Sequence, residues 1–244
     1  IYDEFENNLY KGHEMGRNIL GTTELVGGYT RSDILRFLKN NYSTDRMVIA
    51  TIGDIPFERF KNKVVLHFND YQKITTNIHR TTFTPLPTFN VIQERNNHLS
   101  HCIMGGLSYD IDSEKKMQMV LLNNILGGPG MNSRLNLNIR EKYGFAYTIE
   151  SQYNAYSDTG NFSIYMGVDP QSLDKAINLV FKELNKLKDN KLGTIQLSNA
   201  KKQLIGQLAL SGESSLGELL GITRAAFTKE GIEPMHETIR KIKD

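Results

Sequence analysis

Arg140 and Tyr147 are the two residues of this chain whose types and setting could do chemistry together. Arginine carries a permanently charged fork of N–H donors, and tyrosine carries a single hydroxyl donor on a rigid ring. Both lie in a stretch, Asn124 to Gly167, that reads as one unit: the end of a helix, a glycine loop, a short helix and a β-hairpin. That order puts Arg140 at the end of the short helix and Tyr147 near the start of the strand it feeds, a geometry that can aim both side chains at one place. From spacing alone the simpler expectation is that Arg140 pairs with an exposed carboxylate near Glu141 and Tyr147 packs the sheet, because charged surface residues are usually solvated.

The elements that must position the pair follow from local rules. The loop Gly127-Gly128-Pro129-Gly130 cannot continue a helix, since glycine is free to take a positive φ at a C-terminus and proline lacks the amide donor. Asn132 or Ser133 then caps a new helix. Leu135 and Ile139 stack on it at i, i+4 together with Arg134, Leu137 and Arg140, and Gly144 supplies its exit. Phe145, Tyr147, Ile149 and Tyr153 follow in a period-two alternation that predicts a strand. The turn Ser157-Asp158-Thr159-Gly160 returns the chain into a second strand with Phe162, Ile164, Met166 and Val168 alternating.

Other chemistries are poorly served. His236-Glu237 would need a histidine at position 240 to make a helical metal site, and Arg240 stands there; His98 and His101 on one strand would face opposite ways. A phosphate-binding role for the glycine loop is excluded because the Lys-Ser/Thr of a P-loop is absent. The 244 residues suit one large or two smaller domains. A net charge of +2 and a pI near 8.5 arise from interspersed charges with no basic block, which argues against a nucleic-acid partner. The single Cys102 cannot form an intrachain disulfide and reads as a small buried apolar residue. No apolar run reaches the roughly 18 residues that span a bilayer, so a soluble, cytoplasmic or periplasmic protein with no membrane partner is expected.

In chain order, residues 1 to 10 read as the tail of a helix and 11 to 28 as an irregular loop. Thr30 caps a helix with Ile34, Phe37 and Leu38 on its buried face. Met47 to Ile52 reads as a strand buried on both sides. Pro56 opens a helix carrying Phe57, Phe60, Val64 and Phe68. Periodicity then fails from Asn69 to Asn90, the candidate linker. Beyond it come a strand from His98 to Tyr109, a helix from Ser113 to Leu126, the central stretch, and a helix opened by Asp169-Pro170 with the stripe Leu173, Ile177, Val180, Leu184, Leu187. Helices at about 194–210, 214–228 and 234–244 complete the chain. The mixture predicts an α+β fold, with helices packed on one face of an antiparallel sheet.

Two sets of residues carry a resemblance. LGG, a short gap, SRL, then LNIREKYGFAYTI and the tyrosine-rich hairpin with Asp158 and Gly160 resemble the C-terminal half of the insulinase and pitrilysin family of zinc metallopeptidases, with the closest look to the mitochondrial processing peptidase branch. YKGHEMGRNILGTTE, followed by TRSDILRFLKNNY and DRMVIATIGDI, is similar to the end of that family's first catalytic domain. The resemblance implies two domains of like topology: residues 1–70 as the last part of an incomplete first domain, 71–88 as a linker, and 89–244 as the second domain. It also implies a zinc cofactor in the parent protein whose ligands are not in this chain, since the family's inverted His-x-x-Glu-His motif is missing and its third-ligand glutamate aligns upstream of Ile1. Glu4 and Glu6 are then expected to be solvated carboxylates.

The roles that the resemblance carries over are those of a substrate clamp. Tyr147 would donate to the scissile carbonyl as it becomes an oxyanion, and Arg140 would hold neighbouring peptide carbonyls. Gly127, Gly128 and Gly130 would form a shortened glycine-rich substrate-recognition loop. Two functions follow as expectations: the C-terminal portion of a zinc endopeptidase that encloses peptides between two halves, or a non-catalytic subunit that binds peptide or an active protease subunit. The implied partners are a peptide substrate and a missing N-terminal half or homologous subunit, with a homodimer, a heterodimer and a single long chain all open.

Overall fold

The computed structural model describes residues 1–69, 81, 83–85, 87–228 and 231–243, so most of the expected linker 71–88 lies outside the described residues. In chain order the elements are α1 (Tyr2–Leu9), α2 (Thr23–Gly28), α3 (Arg31–Asn41), α4 (Phe57–Phe68), β1 (Ser100–Ser108), α5 (Lys116–Gly127), β2 (Ala146–Ala155), β3 (Gly160–Val168), α6 (Leu173–Asp189), α7 (Thr194–Ser211), α8 (Ser215–Ala225) and α9 (Met235–Lys243). Between α5 and β2 a helical turn is wound as a π-helix over Asn136–Glu141.

The chain divides into two compact units. The larger holds Ile1–Arg17, Thr82–Ala209 and Glu233–Asp244; the smaller holds Asn18–Thr81 and Leu210–Ile232. The α+β class holds in the larger unit, where a three-stranded antiparallel sheet has the order β1-β3-β2. The alternating apolar residues of β3 decide its core face: Ile164, Met166 and Val168 are almost completely buried, with Ile149 of β2 and Leu126, Leu135, Ile139, Ala176 and Val180 from the helices that cover that face. Burying each such side chain stabilises the fold by roughly 1.5–3 kcal/mol. The stripe expected on α6 is the one used, as Leu173, Ile177, Leu184 and Leu187 pack beside Val180.

Residues 1–17 belong to this larger unit and not with residues 18–69. Their sequence explains it. Phe5, Leu9 and Tyr10 form an apolar stripe on α1 that buries against Ile103 of β1, Phe83 and Met15, on the opposite face of the sheet from the main core. Glu6 follows them inward. It is half-buried and accepts hydrogen bonds from the Tyr156 hydroxyl at 3.3 Å and from Asn161 Nδ2 at 3.2 Å, so only Glu4 is the exposed carboxylate expected of both. Burial, and after it that neighbouring negative charge, pushes the Tyr156 hydroxyl up to about 12.

In the smaller unit the helices form as the caps dictate, but the faces expected to be buried are open. Thr30 and Asp33 make a complete capping box at the start of α3. Yet Ile34 is 56% exposed and Phe37 58% exposed, and on α4 Phe57 and Phe68 are exposed while Phe60 and Val64 are only half-buried. Residues 47–52 do not form a strand. An extended segment becomes a strand only when a second one satisfies its N–H and C=O groups, and none of the described residues pairs with it. Residues 11–28, expected to be irregular, contain the short helix α2, which Thr22 caps by accepting from Leu25 N.

Candidate functional site

Arg140 is carried by a helix that runs from Arg134 to Tyr143 and widens into the π turn at its middle. Its two ends are bonded in ordinary α fashion, Leu137 N to Ser133 O and Gly144 N to Arg140 O, both at 2.9 Å. The insertion of a π turn re-phases the side chains that follow it, and such turns recur at functional sites. Leu135 and Ile139 remain fully buried while Arg140 points outward, its guanidinium 3.9 Å from Glu141 and the side chain 43% exposed. A loose, exposed pair of this kind contributes well under about 1 kcal/mol, which leaves the guanidinium available.

Gly144 ends the helix in the left-handed region, at φ +65°, as the sequence predicts. An added Cβ there would meet nothing within 4 Å, so the glycine is required by backbone conformation alone. Gly144→Ala should therefore lower stability by about 1–2 kcal/mol with no change in packing, a loss measurable by chemical denaturation. An unchanged midpoint would mean that this turn is not fixed in solution.

Tyr147 departs from the expected alternation. Ala146 pairs with Val168 and Thr148 with Gly167, so Tyr147 is the extra residue of a β-bulge. The consequence is visible in burial: Ala146 and Ile149 are buried, whereas the two residues between them, Tyr147 and Thr148, are both exposed. A regular strand would have put Tyr147 on the same face as Ile149, in the core. The bulge turns its ring out instead, leaving it 66% exposed with no side-chain hydrogen bond among the described residues. No hydrogen bond joins Arg140 to Tyr147; the structure brings them together only in that one short connection, residues 141 to 146, separates them.

The glycine loop has a physical role different from the one expected. Gly127, Gly128 and Gly130 do not have positive φ. Gly127 is required because the end of α5 lies on β2: a Cβ would meet Ser151 N at 2.5 Å and Leu135 Cδ1 at 3.0 Å. At Gly128 a Cβ would meet Asn124 Cα at 2.7 Å. At Gly130 it would meet only the side-chain ends of Asn132 and Gln203, both at 2.6 Å, which can move. Two amide pairs fasten this loop to α7. Asn132 and Gln203 exchange both their hydrogen bonds, at 2.8 and 3.1 Å, and Asn124 Nδ2 donates to Gln207 at 2.9 Å.

Sequence reasoning also missed the anchor of the Arg140 helix. Arg134 donates through Nε and a terminal nitrogen, at 3.2 and 3.0 Å, to one oxygen of Glu183, while Lys186 donates to the other at 2.6 Å. Burial pushes the Glu183 carboxyl up, but the hydrogen bonds and charges of Lys186 and Arg134 outweigh it and hold the group below the usual carboxylate value. The signal was present: Glu183 interrupts the apolar face of α6, one residue before Leu184.

Among the described residues, no three His, Cys, Asp or Glu side chains gather into a set that could hold a metal ion. A catalytic zinc, which takes three protein ligands, does not fit the side chains that the described residues supply. His98 precedes β1, and His101 on β1 is engaged with Tyr165, its Nδ1 2.9 Å from the phenol oxygen. A groove of about 460 Å3 in the smaller unit, lined by α2 and α3 residues such as Tyr29, Arg36 and Phe37, contains none of the candidate residues. Among the described residues no helix is long and apolar enough to cross a membrane.

Residues 28–204, more than half of the chain and including the glycine loop, Arg140 and Tyr147, match the peptidase M16 inactive domain. The chain belongs to the peptidase M16 family. Relatives of this M16 chain include the uncharacterized zinc protease YmxG of Bacillus subtilis, 29% identical over 217 residues, covering 88% of this chain and 52% of the relative. An uncharacterized zinc protease of Rickettsia bellii is 28% identical over 250 residues, covering 100% of this chain and 59% of the relative. The chain thus spans somewhat more than half the length of these curated relatives. The fold is that of the peptidase M16 inactive domain from Pseudomonas fluorescens, with a TM-score of 0.85 at 21% identity over 99% of this chain and 57% of that one. A chain of complex III2 from Candida albicans has the same fold, with a TM-score of 0.85 at 17% identity over 100% of this chain and 60% of that one.

Proposed function

We propose that this chain is the C-terminal portion of a zinc-dependent metalloendopeptidase, supplying substrate binding and oxyanion stabilisation while the metal and the general base are held outside it. The observation that carries this reading is the bulge at Tyr147, which turns an aromatic hydroxyl away from the core face and leaves it exposed. The bulge lets Ala146 and Ile149 both face the core and turns the Tyr147 hydroxyl to solvent as a donor. Tyr147 would donate its O–H to the scissile carbonyl oxygen as negative charge develops there, and the Arg140 guanidinium would donate to adjacent peptide carbonyls. Gly127 sets the end of α5 against β2, Gly128 lies against Asn124, and at Gly130 only the movable side-chain ends of Asn132 and Gln203 stand over the loop where a peptide backbone would pass. The substrate is a peptide, and the remaining partner is an N-terminal half or a homologous subunit carrying the zinc, within one long chain or a dimer.

The test is kinetic, on the full-length protein with zinc supplied. Arg140→Ala is expected to raise KM about tenfold with a smaller loss in kcat, because carbonyl contacts of this kind are made in ground and transition states alike. Unchanged KM would remove Arg140 from the substrate site. A second reading, a non-catalytic peptidase-like subunit that binds peptide or an active protease subunit, is supported by the shared fold with the complex III2 chain. It requires that the full-length protein bind peptide and cut none when loaded with zinc.

A further inference from the structure

The glycines of the loop after α5 and the amide side chains around it form one device. Gly128 and Gly130 do not have positive φ, so backbone freedom does not explain them. What lies over them does. A Cβ on Gly128 would come within 2.6 Å of Asn124 Oδ1 as well as meeting the Asn124 backbone, and a Cβ on Gly130 would come within 2.6 Å of both Asn132 Oδ1 and Gln203 Nε2. Those last two atoms are themselves hydrogen-bonded, as one side of the reciprocal Asn132–Gln203 pair. The two glycines are thus the clearance that lets the amides of Asn124 and Asn132 lie across the loop and reach α7.

Both ties end on the same face of α7. Gln203 and Gln207 stand at i and i+4, one turn apart, with the buried Leu204 beside them. Gln203 takes Asn132, which follows the loop, and Gln207 takes Asn124, which precedes it. The other side of the loop rests on β2, where Ser151 Oγ donates to Asn123 O at 3.2 Å in the last turns of α5. The two ties to α7 differ in kind. Asn124 is 7% exposed, and its bond to Gln207 satisfies a buried donor. The Asn132–Gln203 pair lies at the surface, where water would serve each amide nearly as well, so it contributes little to the stability of the fold. Its effect falls on the loop. Two bonds in a ring fix orientation as well as distance, and residues 128–132 keep one course before anything binds.

Resting on the reading of this loop as a peptide-binding loop given above, we infer that Gln203 and Gln207 of α7 are positioning residues for peptide binding, acting through the glycine loop that they hold. A peptide then meets a loop that is already ordered. Loosening the pair moves the cost of ordering residues 128–132 into the binding step, and affinity falls while the chemistry at Tyr147 is left alone.

Equilibrium binding tests this apart from activity. Fluorescein-labelled ten-residue peptides are titrated by anisotropy against the full-length protein with its metal chelated, and KM and kcat are measured with zinc supplied. Gln203→Ala and Gly130→Ala, the second displacing the pair with one methyl group, should each raise Kd and KM about fivefold to tenfold while kcat falls less than about twofold. Exchanging the two side chains, Asn132→Gln with Gln203→Asn, keeps the number of methylene groups in the ring and should restore Kd to within about twofold of wild type. Amide exchange in residues 128–133 should quicken in Gln203→Ala while β2 and β3 exchange as in the wild type. Gln196→Ala, which removes an amide on the same helix that accepts from Gly193 N at 3.3 Å, should leave Kd unchanged. Wild-type affinity in Gln203→Ala or Gly130→Ala, an exchanged pair that restores nothing, an equal loss in Gln196→Ala, faster exchange spread over β2 and β3, or no peptide binding by the wild type overturns the inference. A raised Kd in a protein that cuts nothing with zinc would retain the positioning role and discard the peptidase reading. Cleavage that depends on Tyr147, with Kd and KM unchanged in Gln203→Ala, would do the reverse.

Discussion

Tyr147→Phe in the full-length, zinc-loaded protein should lower kcat by about 10²–10³ with little change in KM. The substitution removes one oxygen and leaves the ring. Since that ring is 66% exposed and its hydroxyl has no hydrogen-bond partner among the described residues, the folded state loses almost nothing, within about 0.5 kcal/mol. The effect on rate is large for the opposite reason. A donor aimed at an oxygen that gains charge only in the transition state contributes far more there than in the ground state, so its loss falls on kcat. The measurement is a steady-state comparison on a peptide substrate, with thermal unfolding and zinc content recorded for both proteins. Turnover near the wild-type value, with fold and metal unchanged, would make Tyr147 merely an exposed strand residue and would take the oxyanion role away from it.

Glu183→Ala should destabilise the larger unit by about 3 kcal/mol. The Glu183 side chain is only 4% exposed, and it holds Arg134, at 26%, and Lys186, at 45%. Removing the carboxylate leaves the Arg134 guanidinium partly buried without its anion. Lys186 can turn to water, which places the cost at the lower end for a broken buried pair. Arg134 opens the helix that carries Arg140, so the loss should also appear as faster amide exchange between residues 134 and 144. The same group makes the wild type acid-sensitive. Because the folded-state carboxyl lies below its ordinary value, its contribution is complete above about pH 4.3, the unfolded reference, and is lost as pH falls further through the folded-state value. Glu183→Gln should be less stable at neutral pH and show a flatter decline below pH 4. A variant as stable as wild type at pH 7 would mean that the triad is solvated in solution.

Much of this was legible in the sequence because it rests on short-range periodicity. The stripe on α6, the hairpin with its turn at residues 157–160, the capping box of Thr30 and Asp33, and the left-handed exit at Gly144 each depend on residues a few positions apart, where helix and strand geometry fix which side chains are neighbours. The motifs around the glycine loop and Arg140 indicated the family by resemblance, and the match of residues 28–204 shows it. Where the sequence misled, the missing information was the partner. Residues 47–52 and the apolar faces of α3 and α4 have the composition of buried elements, but burial is a property of two surfaces and the described residues supply one.

The site depended on tertiary structure in three particulars. Gly127 and Gly128 were expected to serve backbone freedom and instead serve close approach, which is set by Ser151, Leu135 and Asn124 and not by φ. Glu183 interrupts the apolar face of α6 in the sequence, but its partner Arg134, far away in sequence, is identified only by the tertiary structure. Tyr147 is the sharpest instance. Strict alternation assigns it to the core with Ile149 and puts Ala146 and Thr148 on the other face. A sequence fixes the period of a strand, but register depends on the neighbouring strand: one residue more on β2 than on β3 between two bonded pairs reverses the face, and here it moves a tyrosine hydroxyl from the protein interior to solvent.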